Sequence, residues 1–260
     1  MSIPVVMTIA GHDPGGGAGI AADMEAIVSQ GCRPVSIITC LTVQDTSHVK
    51  QVIPIDPALI EQQAQTLLAD MPVAAIKIGL LGSVEVVKAV KRILQSVPDI
   101  PVVLDPVLAS GGGDDLSSQA IVEAIRHELL PLTTVLTPNV PEAAVLATQG
   151  QTQDEQALNL LKQGCQYVLL TGTHAVTDRV ENVLYGQHSR LRTWNWERLP
   201  ETYHGSGCTL AAACAANLAK GLPITMATGT AQAYTWGSLQ AGYKVGQGQL
   251  LPNRFYWTHA

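Results

Sequence analysis

Val5-Val6-Met7-Thr8-Ile9-Ala10-Gly11-His12-Asp13-Pro14-Gly15-Gly16-Gly17-Ala18-Gly19 runs from an apolar β-type segment into a glycine loop, and helical periodicity follows it. A strand, a glycine loop and a helix in that order are one half-turn of a parallel α/β sheet. In such sheets ligands bind beyond the carboxyl ends of the strands. Glycines at 15, 16, 17 and 19 permit close backbone approach and unusual dihedrals. A flexible turn is the bland alternative, although a plain turn needs one glycine. The loop is not a Walker loop, because Gly-Lys-Ser/Thr occurs nowhere, and it lacks the GxGxxG spacing of a dinucleotide fold.

Outward from this stretch the alternation continues. Short apolar runs at 5–9, 35–39, 75–78, 102–104, 135–137 and 167–171 read as buried strands. Amphipathic helices separate them. Ile60, Ala64, Leu67, Leu68 and Met71 share one helical face, and Val122, Ile125 and Leu129 share another before Pro131 stops that helix. The pattern predicts a mostly parallel sheet covered by helices on both faces. Residues 44–55 read as an extended excursion and 179–199 as a hairpin turning near 186–189. Helices are predicted over 206–220 and 225–244, separated by the stop Gly221-Leu222-Pro223. No repeat, linker or low-complexity tract interrupts the chain, so residues 1–260 read as one domain.

Composition narrows the function. Apolar residues make up 47% of the 260 residues, which excludes a disordered chain. No apolar run reaches membrane-helix length, and the first residues carry no cationic stretch, so the expectation is a cytoplasmic protein. Net charge is -6 and the basic residues are scattered, which argues against a nucleic-acid groove. Five cysteines, none spaced as CxxC, argue against disulfides and zinc.

Three further motifs carry chemistry. His204-Gly205-Ser206-Gly207-Cys208-Thr209 enters an alanine-rich helix. Glycines at a helix N-terminus leave amides pointing along the positive end of the dipole, an anion site suited to a transferring phosphoryl group. The same dipole is expected to lower the Cys208 thiol pKa; a glycine-capped helix with a buried Cys is the alternative. Asn139 and Glu142, in Thr137-Pro138-Asn139-Val140-Pro141-Glu142, stand three apart at a helix start. They suit a hydrated magnesium ion, or they are an ordinary acidic first turn with Pro at N1. Asp105, in Asp105-Pro106-Val107, follows a buried strand, and Gln44 offers an amide with both donor and acceptor. The glycine-rich and acidic motifs converge on one rim, on which Glu142 is expected to be solvent-accessible.

These residues carry a resemblance. Thr8 to Pro14, the glycine loop with Ile20-Ala21-Ala22-Asp23, Leu41-Thr42-Val43-Gln44-Asp45, Lys77-Ile78-Gly79-Leu80-Leu81, Asp105-Pro106-Val107, Asn139 to Glu142 and the Gly-Ser-Gly-Cys-Thr run resemble the hydroxymethylpyrimidine/phosphomethylpyrimidine kinases of the ribokinase superfamily. The resemblance runs almost end to end. It implies an α/β ribokinase-like fold, a mostly parallel sheet flanked by helices, with a small β-excursion near the site. It implies phosphorylation of 4-amino-5-hydroxymethyl-2-methylpyrimidine and then of its monophosphate, with ATP as co-substrate and Mg2+ as cofactor, in a homodimer.

The resemblance also implies roles. Gln44, Gly11, Ala18, Leu80 and Val107 would bind the pyrimidine. Cys208 would take the base position, and Gly205, Ser206 and Gly207 would form the anion hole. Asn139, Thr171 and Gly172 would meet the nucleotide, and Asp105 and Glu142 would lie near magnesium. Two stretches depart from the family's pattern. Ala109-Ser110-Gly111-Gly112-Gly113 lacks a Lys, and Thr171-Gly172-Thr173-His174 stands where many relatives have Lys-Gly-Gly-His. The rival readings are a pyridoxal-type kinase and a silent ligand-binding regulator on the same fold.

Overall fold

The structure is a computed structural model that describes residues 3–109, 116–173 and 178–259. Nine strands form one sheet: β1 (Val5–His12), β2 (Arg33–Gln44), β3 (Val49–Pro54), β4 (Val73–Ile78), β5 (Val102–Leu104), β6 (Val135–Leu136), β7 (Tyr167–Thr171), β8 (Arg179–Gly186) and β9 (Ser189–Glu197). Their order is β3-β2-β1-β4-β5-β6-β7-β8-β9. The six central strands pair in parallel. Antiparallel strands close both edges. All six parallel strands therefore deliver their following loops to one rim.

The side-chain period of two divides the interior into two cores. Met7, Ile9, Ile76, Ile78, Leu104, Val168 and Leu170 face one layer, packed with α2 (Pro57–Asp70), α3 (Val84–Ser96), α4 (Gln119–Ala124), α5 (Val140–Leu146) and α6 (Gln153–Lys162). Val6, Ala75, Val103, Val135 and Leu169 face the other, packed with α1 (Gly19–Ser29), α7 (Ser206–Ala219) and α8 (Ile224–Gln240). The run Leu210 to Ala216 is wholly buried, and its alanines let α7 lie close against the sheet centre.

Several boundaries differ from the sequence reading. β2 runs on to Gln44 because it keeps pairing with β3 after leaving β1. The 44–55 excursion is thus the far half of a β-hairpin. Helix α8 stops at Gln240, four residues short of the prediction, because Ala241 caps it and Gly242 packs against Tyr203. The predicted hairpin near 186–189 turns on Gln187 and His188, both at positive φ as a two-residue type I′ connection requires. Among the described residues no helix is long and apolar enough to cross a membrane.

Candidate active site

The first loop and the start of α7 meet back to back. Gly19 has φ +59°, and a Cβ there would lie 2.2 Å from the Gly11 carbonyl oxygen. Gly205 has φ +81°, and a Cβ there would lie 2.0 Å from the Gly17 carbonyl oxygen. Both positions exclude side chains, so the glycines fix how closely the two loops approach. Arg254 clamps the junction. It donates to the Gly17 carbonyl at 2.5 Å, to Thr209 Oγ1 at 2.9 Å and to Glu25 Oε2 at 3.0 Å.

Gly205 caps α7 in the left-handed conformation, and among the described residues no side chain caps this helix start. The first-turn amides therefore keep donor capacity for a ligand. Gly207 is exposed, and a Cβ on it would sit 3.6 Å from Asp105 Oδ1. The anion hole and the β5 carboxylate thus face each other across one short gap.

Asp105 is 5% exposed, and its buried Oδ2 has no hydrogen-bond partner among the described residues. Burial pushes its pKa up to about 6, against the pull of Lys77. Glu142, also buried, is pushed up to about 8 by burial and by the Asp105 charge. The sequence reading put Glu142 on an accessible rim. Instead it turns inward, because it closes a capping box with Asn139: each accepts the other's backbone N–H at 2.9 Å. Its second oxygen accepts from Leu108 N–H at 3.5 Å. The helix-start reading of these residues is therefore correct, and the inward carboxylate comes with it.

Cys208 corrects a second expectation. Its thiol is pushed up to about 12, by burial first and then by the Asp105 and Asp23 charges, with Lys77 opposing. The helix dipole does not yield a thiolate here. The Gly19 amide works to lower the thiol pKa and the Asp105 charge to raise it. All five cysteines are free and buried.

Along the rim the implied residues fall in order. Gln44 ends β2. Gly11 lies in β1 against Cys40 and Leu80, and Ala18 caps α1. Leu80 follows β4, and its carbonyl accepts from Thr39 Oγ1 at 2.5 Å. Val107 follows β5, Asn139 follows β6, and Thr171 closes β7. The Gly172 amide donates to Asn182 Oδ1 at 3.0 Å. Residues 110–113 and His174, where the family pattern fails, lie outside the described residues.

The sequence reading gave no role to two buried groups. Lys77 is fully buried, and its Nζ lies 2.8 and 2.9 Å from the two Asp23 oxygens, while Thr8 Oγ1 donates to Asp23 at 2.6 Å. A Lys in the apolar strand VAAIKI and an Asp in the apolar helix start GIAAD were the available signal. The other group is Asp13 with His204, 2.9 Å apart, at the Gln44 end. A cleft of about 550 Å3 opens beside them, lined by Asp13, Gly17, Asp45, His204 and Leu251. Asp105, Cys208 and Glu142 do not line it.

A parallel-sheet rim with an open helix N-terminus facing a buried carboxylate pair defines a ribokinase-like small-molecule kinase. The model of the phosphomethylpyrimidine kinase family matches residues 13–253, and the chain belongs to that family. It is 39% identical to a hydroxymethylpyrimidine/phosphomethylpyrimidine kinase of Synechococcus elongatus, over 98% of this chain and 99% of that one. A Haemophilus influenzae enzyme of the same description is 35% identical, over 100% and 98%. Among solved structures, the ADP complex of Bacillus subtilis pyridoxal kinase covers both chains fully, with TM-score 0.90 and 28% identity. A phosphomethylpyrimidine kinase of Clostridium difficile gives TM-score 0.78 and 28% identity, over 92% of this chain and 100% of that one.

Proposed function

We propose that this phosphotransferase moves the γ-phosphoryl of ATP onto the hydroxymethyl group of 4-amino-5-hydroxymethyl-2-methylpyrimidine, and then onto the monophosphate so formed. The observation that carries the reading is the open start of α7 facing Asp105 at the middle of the rim. Gln44, Gly11, Ala18, Leu80 and Val107 lie to one side and bind the pyrimidine. Asn139, Thr171 and Gly172 lie to the other and meet the nucleotide. Transfer is in line between them, with positioning and electrostatics supplying most of the rate. The amides of Ser206 and Gly207, in the turn that Gly205 opens, take the charge that develops on the transferring group.

Mg2+ fits Asp105 and Glu142. The unpartnered Asp105 Oδ2 calls for a cation, and two mutually repelling carboxylates are relieved by one. Among the described residues no group of three or more His, Cys, Asp or Glu is arranged for a metal. A pair suits an ion that keeps most of its waters. Bound there, it would neutralise phosphate charge as a Lewis acid. Cys208 contacts the substrate hydroxyl as a protonated thiol, so base assistance is secondary.

All of these residues lie in, or in loops and helices around, one nine-stranded sheet, which supports reading residues 1–260 as one kinase domain. Exposed Leu41, Val43 and Ile53 on the β2–β3 hairpin offer a second copy an apolar face, supporting a homodimer; sedimentation at graded concentrations tests it. Five free buried thiols support a cytoplasmic setting. The test of function is a product assay with ATP, with and without Mg2+, on the aminopyrimidine alcohol, its monophosphate and pyridoxal, with products resolved by charge. Two successive phosphorylations of the pyrimidine are expected. Turnover of pyridoxal alone would replace the reading with that of the structural relatives.

A further inference from the structure

The nucleotide side of the rim is one connected piece. The Thr171 N–H donates to the Pro138 carbonyl at 3.0 Å, and Asn139 and Thr171 form a parallel bridge, so the corners after β6 and β7 are joined. At Gly172 the chain leaves the sheet. A Cβ there would lie 2.2 Å from the Glu181 carbonyl oxygen, so only glycine lets the turn press this closely on β8. Asn182 stands opposite Thr171 in the β7–β8 ladder, and its side chain turns back to accept from the Gly172 amide.

Asn182 is 7% exposed, and Gln232 of α8 is 3% exposed. Groups that can act in only one way fix the orientation of both side-chain amides. The Gly172 N–H only donates, so Asn182 presents Oδ1 to it, at 3.0 Å. Asn182 Nδ2 then donates to Gln232 Oε1 at 3.0 Å. The Trp196 indole N–H, also a donor only, reaches the same oxygen at 3.1 Å. Gln232 Nε2 is left for the Thr228 carbonyl, at 3.2 Å. From Gly172 to Thr228 every link sets a donor against an acceptor. A buried network paired in this way is rigid, and removing one member leaves its neighbour without a partner.

The far anchor of the network is the helix layer that carries the anion hole. α8 packs on α7, and Trp196 also stacks on Trp236 of α8, with ring centroids 6.3 Å apart. We propose that Asn182 and Gln232 are positioning residues for the nucleotide: they hold the Thr171–Gly172 corner at a fixed reach from the start of α7, so that the bound nucleotide meets the anion hole. The inference rests on the reading that Asn139, Thr171 and Gly172 meet the nucleotide. It also sharpens that reading, since the Gly172 amide is taken by Asn182 and Gly172 serves the nucleotide by its shape rather than as an N–H donor.

The experiment measures kcat, KM for ATP, KM for the pyrimidine alcohol and ADP affinity by calorimetry in wild type, Asn182→Leu, Asn182→Asp, Gln232→Met and Thr171→Glu. Calorimetry is needed because KM equals a dissociation constant only when chemistry is slow. Thermal melting of each variant checks folding. Asn182→Leu fills the space but leaves the Gly172 amide unpaired. It is expected to weaken ATP and ADP about tenfold, with KM for the pyrimidine changed by less than about twofold. Asn182→Asp keeps an acceptor for Gly172 but sets its other oxygen against Gln232 Oε1, so its loss should fall between wild type and Asn182→Leu. Gln232→Met keeps the Gly172 bond and cuts the tie to α8, for an expected loss of about threefold. It carries the test alone if Asn182→Leu does not fold. Wild-type ATP and ADP affinity in folded Asn182→Leu and Gln232→Met, or equal rises in KM for both substrates, would make the network core packing and overturn the proposal. Thr171→Glu sets an anion at the corner and should weaken ATP and ADP by more than about tenfold. Wild-type ADP affinity in Thr171→Glu would overturn the reading of the nucleotide corner, and the proposal with it. Weakened ADP binding in Thr171→Glu beside wild-type binding in the network variants overturns the positioning inference alone.

Discussion

Asp13 and Asp105 follow strands of the same parallel sheet, and each is 5% exposed. Their environments are nevertheless opposite. Asp13 is met by two backbone amides, His204 and Gln44, and is held at about 2. Asp105 has an oxygen with no partner among the described residues and a second carboxylate beside it, and is pushed up to about 6. Similar exposure thus accompanies opposite outcomes: Asp13 is supplied with several donors, whereas Asp105 is more deeply enclosed and stands beside a second carboxylate. The supplied end is rigid and suits recognition. The Asp105 end carries an unmet demand for positive charge and suits chemistry.

The sharpest way to break this contrast is Asp105→Asn. If the unpaired carboxylate serves the phosphoryl transfer, kcat falls by about 10³ or more, while KM for the pyrimidine changes little. The metal-free protein should melt no lower than wild type, because the substitution removes a destabilising buried charge. Wild-type kcat would return Asp105 to the status of a turn residue.

Cys208 bridges the chemical end to the first loop and should give the next largest effect. With its thiol pushed up to about 12, Cys208 gives little base assistance, so Cys208→Ala and Cys208→Ser are expected to lose at most about 10²-fold in the first phosphorylation, the lower end for a positioned base. The second step should lose less, because its acceptor is already an anionic phosphate. Steady-state rates on the alcohol and on its monophosphate decide this. Equal losses in both steps would show that the residue shapes the pocket only.

At the supplied end the expected signature is in binding. Gln44→Leu strips the ring's hydrogen-bond partner and should raise KM by about tenfold to thirtyfold, with kcat nearly unchanged. An unchanged affinity by calorimetry would remove the recognition half of the comparison.

The two ends were not equally legible in the sequence. Period-two strands, helix stops and glycine loops are local signals, so the sheet and its rim follow from the chain directly. The GSGC run and Asp105 also announce themselves, since glycines before a helix and an acid after a strand have few other uses. What local pattern cannot carry is the environment a fold assembles from distant segments. The Cys208 expectation came from its own helix dipole, whereas its thiol responds to burial and to Asp105 and Asp23, far away in sequence. Glu142 reads as exposed in a first turn, yet the capping box turns it inward. Asp13 and His204 are 191 residues apart, so their pairing is visible only once the loops meet.

The smallest expected effect is read from stability against pH, first in the unsubstituted protein. A carboxyl with a raised folded-state pKa binds its proton more tightly when folded, so its folded state is favoured at low pH. That advantage is lost as pH climbs from the ordinary value through the folded one. For Asp105 the window runs from 3.8 to about 6, and for Glu142 from 4.5 to about 8. Asp13, lowered from 3.8 to about 2, acts with the opposite sign: its stabilisation is present above 3.8 and lost as pH falls toward 2. Metal-free protein should therefore lose stability between about pH 5 and pH 8, a window in which Asp13 contributes nothing further. Thermal melts at low ionic strength should fall by roughly 3 °C or more across it. Mg2+ binds the ionised pair, so it should raise the melting temperature more at pH 8 than at pH 5, flattening the profile. Glu142→Gln should remove the upper part of the slope and weaken the magnesium response together. A flat metal-free profile from pH 5 to pH 8 would mean that the Asp105–Glu142 end is as well partnered as the Asp13 end.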